Sequence, residues 1–153
     1  MHRYLSMLVA AALTICAADA SPQQTTYSFR DALDAIRIVE TGGQPNDGVG
    51  ARGDGGKALG PYQIWKAYHT DAAERDASLT DYQRCLTSKD YSERVVRAYM
   101  RRYARAEMKR LEAGEGTLAD IEKVARRHNG GSRGDRKTET PAYWKKVRAN
   151  HNR

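Results

Sequence analysis

The chain has 153 residues, enough for one domain and too few for two. Hydrophobic residues make up 40% and charged residues 29%, a balance that excludes both a disordered polar tail and a bundle of membrane spans. Lys and Arg outnumber Asp and Glu by 26 to 19, so the surface carries +7 and favours an anionic partner: a cell-wall polymer, nucleic acid or a lipid headgroup.

At the start, His2 and Arg3 precede an apolar run from Leu5 to Cys16, and Ala18-Asp19-Ala20 follows. This is the pattern of a secretory signal, and the run is short for a membrane span, which needs about 20 residues. The expected division is a signal peptide over residues 1–20, a polar leader over 21–27 and one domain over 28–153. The protein is then secreted or periplasmic, with no stable membrane insertion after cleavage. Cys16 leaves with the signal, so Cys85 stands alone and no intramolecular disulfide can form. Packing must hold the fold, and Cys85 reads as a buried, inert thiol.

Ser28 with Asp31 forms a capping pair, and the helix it opens places Phe29, Leu33, Ile36 and Glu40 on one face. Thr41-Gly42-Gly43 stops that helix directly after Glu40. Eight of the 13 glycines lie between Gly42 and Gly60, which predicts irregular hairpin structure with two or three short strands. Pro61-Tyr62-Gln63-Ile64-Trp65 leads into a helix reaching about Arg75, and residues 76–89 form a connection with one helical turn. The longest helix is expected over about Tyr91 to Glu112, with Val95, Val96, Tyr99, Met100 and Tyr103 inward and Arg97, Arg101, Arg102 and Arg105 on a solvated face. Thr117 with Asp120 opens a further helix closed at His128-Asn129-Gly130-Gly131, and Tyr143, Trp144 and Val147 lie on a short last one. The class is mainly α (α+β), about five to six helices with a small β or loop excursion between the first and second.

Glu40 is the most informative residue. At the end of an apolar stripe, desolvation and the negative end of the helix dipole both disfavour its anion, which suits a general acid. Asp54, in the glycine-rich excursion, would be wet and ionised, and one buried and one wet carboxyl are what glycoside hydrolysis uses. Asp47 is the alternative second carboxylate. The four histidines, His2, His69, His128 and His151, lack metal-ligand spacing, so neither a metal nor a cofactor is implied. Gly55-Gly56-Lys57 fails as a phosphate loop, because Ala51 and Ala58 replace its first glycine and its Ser or Thr. With no DNA-reading module, nucleic-acid binding would rest on charge alone and is not expected.

Taken together, Ile38-Val39-Glu40-Thr41-Gly42-Gly43, Asp54 ahead of Leu59-Gly60-Pro61-Tyr62-Gln63-Ile64, Val96-Arg97-Ala98-Tyr99-Met100-Arg101-Arg102-Tyr103, Arg127-His128-Asn129-Gly130-Gly131 and Tyr143-Trp144 resemble the invertebrate-type lysozyme (destabilase) family. The likeness covers about residues 31 to 148. It implies a lysozyme-like fold and a muramidase that cuts the β-1,4 link of peptidoglycan, an anionic wall polymer. It places the general acid at Glu40 and the second carboxylate at Asp54, with Tyr62, Gln63, His128, Asn129 and Gly130 lining the sugar cleft. Animal members are rich in disulfides, and this chain lacks them. A serine near the second carboxylate accompanies isopeptide cleavage in some members; Gly55, Gly56 and Lys57 follow Asp54 here, so that activity is not carried over. Two rival readings fit the same residues: a lytic transglycosylase using Glu40 alone, and a non-catalytic wall-binding protein.

Overall fold

A computed structural model describes residues 25–151, so the expected signal peptide lies outside the described residues. Helix α1 spans Phe29–Thr41, opened by a full Ser28–Asp31 capping box and closed by Gly42 in the left-handed region. Its inward residues Phe29, Ala32, Leu33, Ala35 and Ile36 are buried among α4 (Lys89–Tyr103), α5 (Arg105–Glu112), α6 (Leu118–Gly130) and α7 (Thr140–Asn150). Val95, Val96, Met100, Met108, Leu111, Ile121, Val124 and Val147 complete that core, all at most 1% exposed. Each such Leu, Ile or Val contributes about 1.5–3 kcal/mol by leaving water, so packing can replace disulfides. Cys85, the one cysteine among the described residues, is buried as expected, and burial pushes its thiol up to about 12.

Between α1 and α2 (Lys66–Ala73) the glycine-rich excursion folds into a three-stranded antiparallel sheet. Its strands, β1 (Arg52–Gly53), β2 (Ala58–Leu59) and β3 (Ile64–Trp65), are two residues each, with Leu59 opposite both Arg52 and Ile64. Gly60, between β2 and β3, has φ +68, and a Cβ there would lie 1.8 Å from the Cys85 carbonyl oxygen. Only glycine lets the turn seat on α3 (Arg84–Thr87), the expected single helical turn in the 76–89 connection. Tyr27, assigned by sequence to the loose leader, exchanges two backbone hydrogen bonds with Gly116 and so pins the start of α1.

The expected long helix from Tyr91 to Glu112 is two. It breaks at the buried Ala104 (φ −129, ψ 42), which raises the count to seven helices among the described residues. At the break the Arg127 guanidinium donates to the Tyr103 carbonyl, a tertiary contact on an acceptor that a continuous helix would also use. No Gly or Pro marks the position.

Helix α6 begins with a second capping box, Thr117 with Asp120, and Asp120 also accepts from both Arg110 Nε and Nη2. Arg110 and the Thr117 amide hold the Asp120 carboxyl down at about 2. Asp120→Ala is expected to cost about 2 kcal/mol, as loss of a cap plus charged hydrogen bonds. Because the folded pKa lies below the unfolded one, this contribution is present above about pH 4 and fades as pH falls toward 2. Urea unfolding at pH 7 and pH 2.5 checks both parts.

Candidate active site

Glu40 occupies the last turn of α1, half-buried, facing the sheet excursion. Tyr143 of α7 donates its hydroxyl to Glu40 Oε1 at 2.6 Å. His128 Nε2 of α6 lies 3.6 Å from the same oxygen. Three helices therefore converge on one carboxyl, and its Oε2 has no hydrogen-bond partner among the described residues.

The state of His128 follows from its neighbours. Nε2 stands 3.0 Å from the Tyr62 carbonyl oxygen, which can only accept, so Nε2 carries the proton. Burial holds the imidazole below the usual histidine pKa, with Glu40 and the Tyr62 carbonyl opposing only in part. The ring is then neutral, and Nδ1 is free to accept from Tyr68 Oη at 3.4 Å. Burial pushes the phenols of Tyr68 and Tyr143 well above their ordinary value, so both stay donors. Tyr68 in turn stacks on Tyr99, ring centroids 3.6 Å apart, which ties the site to α4.

The unfolded chain takes up a proton near pH 6.5 that the folded His128 refuses. Stability present above that pH is thus lost as pH falls, and His69, which burial also lowers, adds to the same trend. His128→Gln is expected to flatten, without abolishing, the drop in melting temperature between pH 7 and pH 5. An unchanged slope in a thermal-unfolding series would show that His128 titrates as in the unfolded chain.

Glu40 opens into a cleft of about 290 Å³ lined also by Asp54, Ala58, Gln63, Trp65, Tyr68, His128 and Asn129. Asp54 is exposed on its rim, at the turn between β1 and β2, with φ +47. Asp47, the alternative carboxylate, is not among the lining residues: it is held by Arg37 at 2.8 Å and Lys89 at 2.7 Å. Gln63 also has a left-handed φ, +45, a strain of about 1 kcal/mol, and its Nε2 donates to the Gly60 carbonyl.

Two expected cleft residues do not line it. Tyr62 is fully buried, its hydroxyl donating to Glu93 at 3.1 Å within a bidentate Arg30–Glu93 pair, so only its carbonyl serves the site, through His128. Gly130 packs on Thr140, where a Cβ would come within 2.6 Å of the threonine methyl, and so lets the end of α6 meet α7. Conversely, no local signal in the sequence marks Tyr68, Trp65 or Tyr143 as a site residue. Tyr143 reads as a core position beside Trp144, and its contact with Glu40 spans 103 residues of sequence.

The sequence profile of the Destabilase family matches residues 31–150. The chain belongs to the invertebrate-type lysozyme (destabilase) family. Lysozyme 1 of Crassostrea virginica is 35% identical over 121 residues, covering 78% of this chain and 58% of that protein's length. Invertebrate-type lysozyme 6 of Caenorhabditis elegans is 33% identical over 129 residues, covering 80% and 87%. The crystal structure of Tapes japonica lysozyme matches with a TM-score of 0.58 at 28% identity, over 77% of this chain and 86% of that one. The fold is therefore lysozyme-like, with the family's helical frame kept although Cys85 is the one cysteine among the described residues.

Proposed function

We propose that the chain is a glycoside hydrolase that degrades peptidoglycan, cleaving the β-1,4 bond between N-acetylmuramic acid and N-acetylglucosamine. The observation that carries this reading is the half-buried Glu40, clamped on one oxygen by Tyr143, facing the exposed Asp54 across one cleft. The lysozyme relatives named above support it.

In this scheme Oε2 of Glu40 carries the proton and gives it to the glycosidic oxygen as the bond to the anomeric carbon breaks. Positive charge then builds on the sugar ring. Asp54 stabilises it electrostatically or attacks it as a nucleophile, and water completes the hydrolysis. The neutral His128 is a positioning residue: an imidazolium 3.6 Å away would favour the Glu40 anion, and the imidazole does not. Gln63 and Asn129 offer amides to sugar hydroxyls and N-acetyl groups, and the half-exposed Trp65 offers a flat face to a ring. With the signal expected over residues 1–20, the protein would act as a secreted or periplasmic enzyme.

A suspension of purified peptidoglycan should clear on addition of the protein, with reducing sugar appearing in solution. Clearing without reducing sugar, or binding without clearing, would overturn the reading. Tyr143→Phe removes only the clamp on Oε1, and is expected to lower turnover about tenfold while KM stays within about twofold. Wild-type turnover in that variant would show that the clamp does not position Glu40.

A further inference from the structure

Two depressions along α4 and α5 adjoin each other through shared residues Arg75 and Arg101, and neither shares a lining residue with the Glu40 cleft. Their volumes are about 650 and 1050 Å³. Arg94, Arg97, Arg101, Arg105 and Lys109 follow one another at intervals of three or four residues, and Arg75, in the turn after α2, lines both depressions with them. Within each helix, adjacent cations on such a stripe lie about 5–6 Å apart along the axis, and the break at Ala104 separates Arg101 on α4 from Arg105 on α5.

Only two acids share this groove. Asp76 pairs with Arg94 at 3.3 Å, and Glu112 with Arg97 at 2.7 Å and Arg101 at 3.0 Å. Arg75, Arg105 and Lys109 are exposed and have no ion pair among the described residues. The groove therefore holds an excess of four positive charges out of the chain's +7. Packing the cations side by side around a channel has an electrostatic cost, and an anion lying in the channel relieves it.

We propose that this groove binds a linear phosphodiester polymer of the cell wall, a poly(alditol phosphate), and so docks the enzyme beside its glycan substrate. Guanidinium groups pair with phosphate in a bidentate fork, and a row of them matches a chain that repeats one negative charge per short unit. The lining residues are Arg, Lys, Asp, Glu, Ala and Met, with no aromatic ring on which a base could stack, which disfavours single-stranded nucleic acid. The choice of a wall polymer as the source of the phosphodiesters rests on the peptidoglycan reading of the cleft.

The test measures binding of fluorescently labelled poly(glycerol phosphate) across a salt series, for the wild-type protein and for Arg75→Gln/Arg105→Gln/Lys109→Gln. These three exposed substitutions unpair no acid. Affinity is expected to fall at least tenfold at low salt, and the slope of log K against log salt to shrink by about 2, roughly 0.7 per lost contact. Cleavage of a neutral soluble β-1,4-linked N-acetylglucosamine oligosaccharide should stay at the wild-type rate, while cleavage of phosphopolymer-bearing walls should slow. Unchanged polymer affinity in the triple variant would overturn the proposal. A wild-type preference for a single-stranded oligonucleotide of equal charge would overturn it too, by making the groove a nucleic-acid surface. Binding is read without turnover, so polymer binding lost in the triple variant of a protein that cleaves no glycan would defeat the hydrolase reading and leave the groove's phosphodiester chemistry standing.

Discussion

Glu40→Gln is expected to lower the rate of peptidoglycan cleavage by at least about 10², the usual contribution of a positioned general acid, equivalent to about 2.7 kcal/mol of transition-state stabilisation. The substitution is nearly isosteric. The amide oxygen can still accept from Tyr143 Oη, so the convergence of α1, α6 and α7 on this side chain survives. What disappears is the transferable proton. Thermal stability should therefore stay within about 0.5 kcal/mol of wild type. A variant that folds normally, binds peptidoglycan and turns it over at more than a tenth of the wild-type rate would remove Glu40 from the acid role. Parallel unfolding and turnover measurements on one preparation separate a catalytic loss from a folding loss.

Asp54→Asn is expected to lower turnover by about 10² as well, with a smaller effect on binding, because its charge matters only when positive charge develops on the sugar. Its left-handed φ of +47 is one that Asn also tolerates, so the turn between β1 and β2 should keep its shape. Asp47→Asn serves as the comparison. Asp47 is tied to Arg37 and Lys89 and lies outside the cleft lining, so its loss should touch stability and leave turnover near wild type. If Asp54→Asn retained most of the activity, Glu40 would be acting alone, as in a transglycosylase. If Asp47→Asn were the crippled variant, the excursion would have to rearrange on binding substrate.

How far the sequence carries the account depends on the range of the interaction involved. Ser28 with Asp31 and Thr117 with Asp120 are local, three residues apart, and both capping boxes are present. Glu40 at the end of the α1 stripe is legible for the same reason: helical period and a Thr-Gly-Gly stop are short-range signals. The excursion reads correctly as short strands among turns, since glycine density is itself a local property. The break at Ala104 is different. Residues 91–112 have a helical period and no breaker, and only Arg127, more than twenty residues away, takes the Tyr103 carbonyl. Tyr62 misleads in the opposite direction. The Gly-Pro-Tyr-Gln segment does border the cleft, yet its tyrosine turns inward to Glu93, and whether a side chain faces the cleft or the core in a two-residue strand region has no periodicity to read. Tyr143 shows the limit most clearly, because a phenol on an apolar stripe looks like core until α7 is seen to lie against α1. Tyr143-Trp144 is among the stretches that resemble the family, but only the fold shows which of the two meets the carboxyl.

Mass spectrometry of the soluble products released from purified peptidoglycan is the most direct test of a hydrolase built on Glu40 and Asp54. Products carrying reducing ends, each cleavage adding one water, are the predicted result. Products with 1,6-anhydro ends would contradict it, since they form without water and leave Asp54 no part in the reaction. Absence of soluble products from a wall that the protein binds would contradict it equally, leaving a cleft that recognises sugar without cutting it.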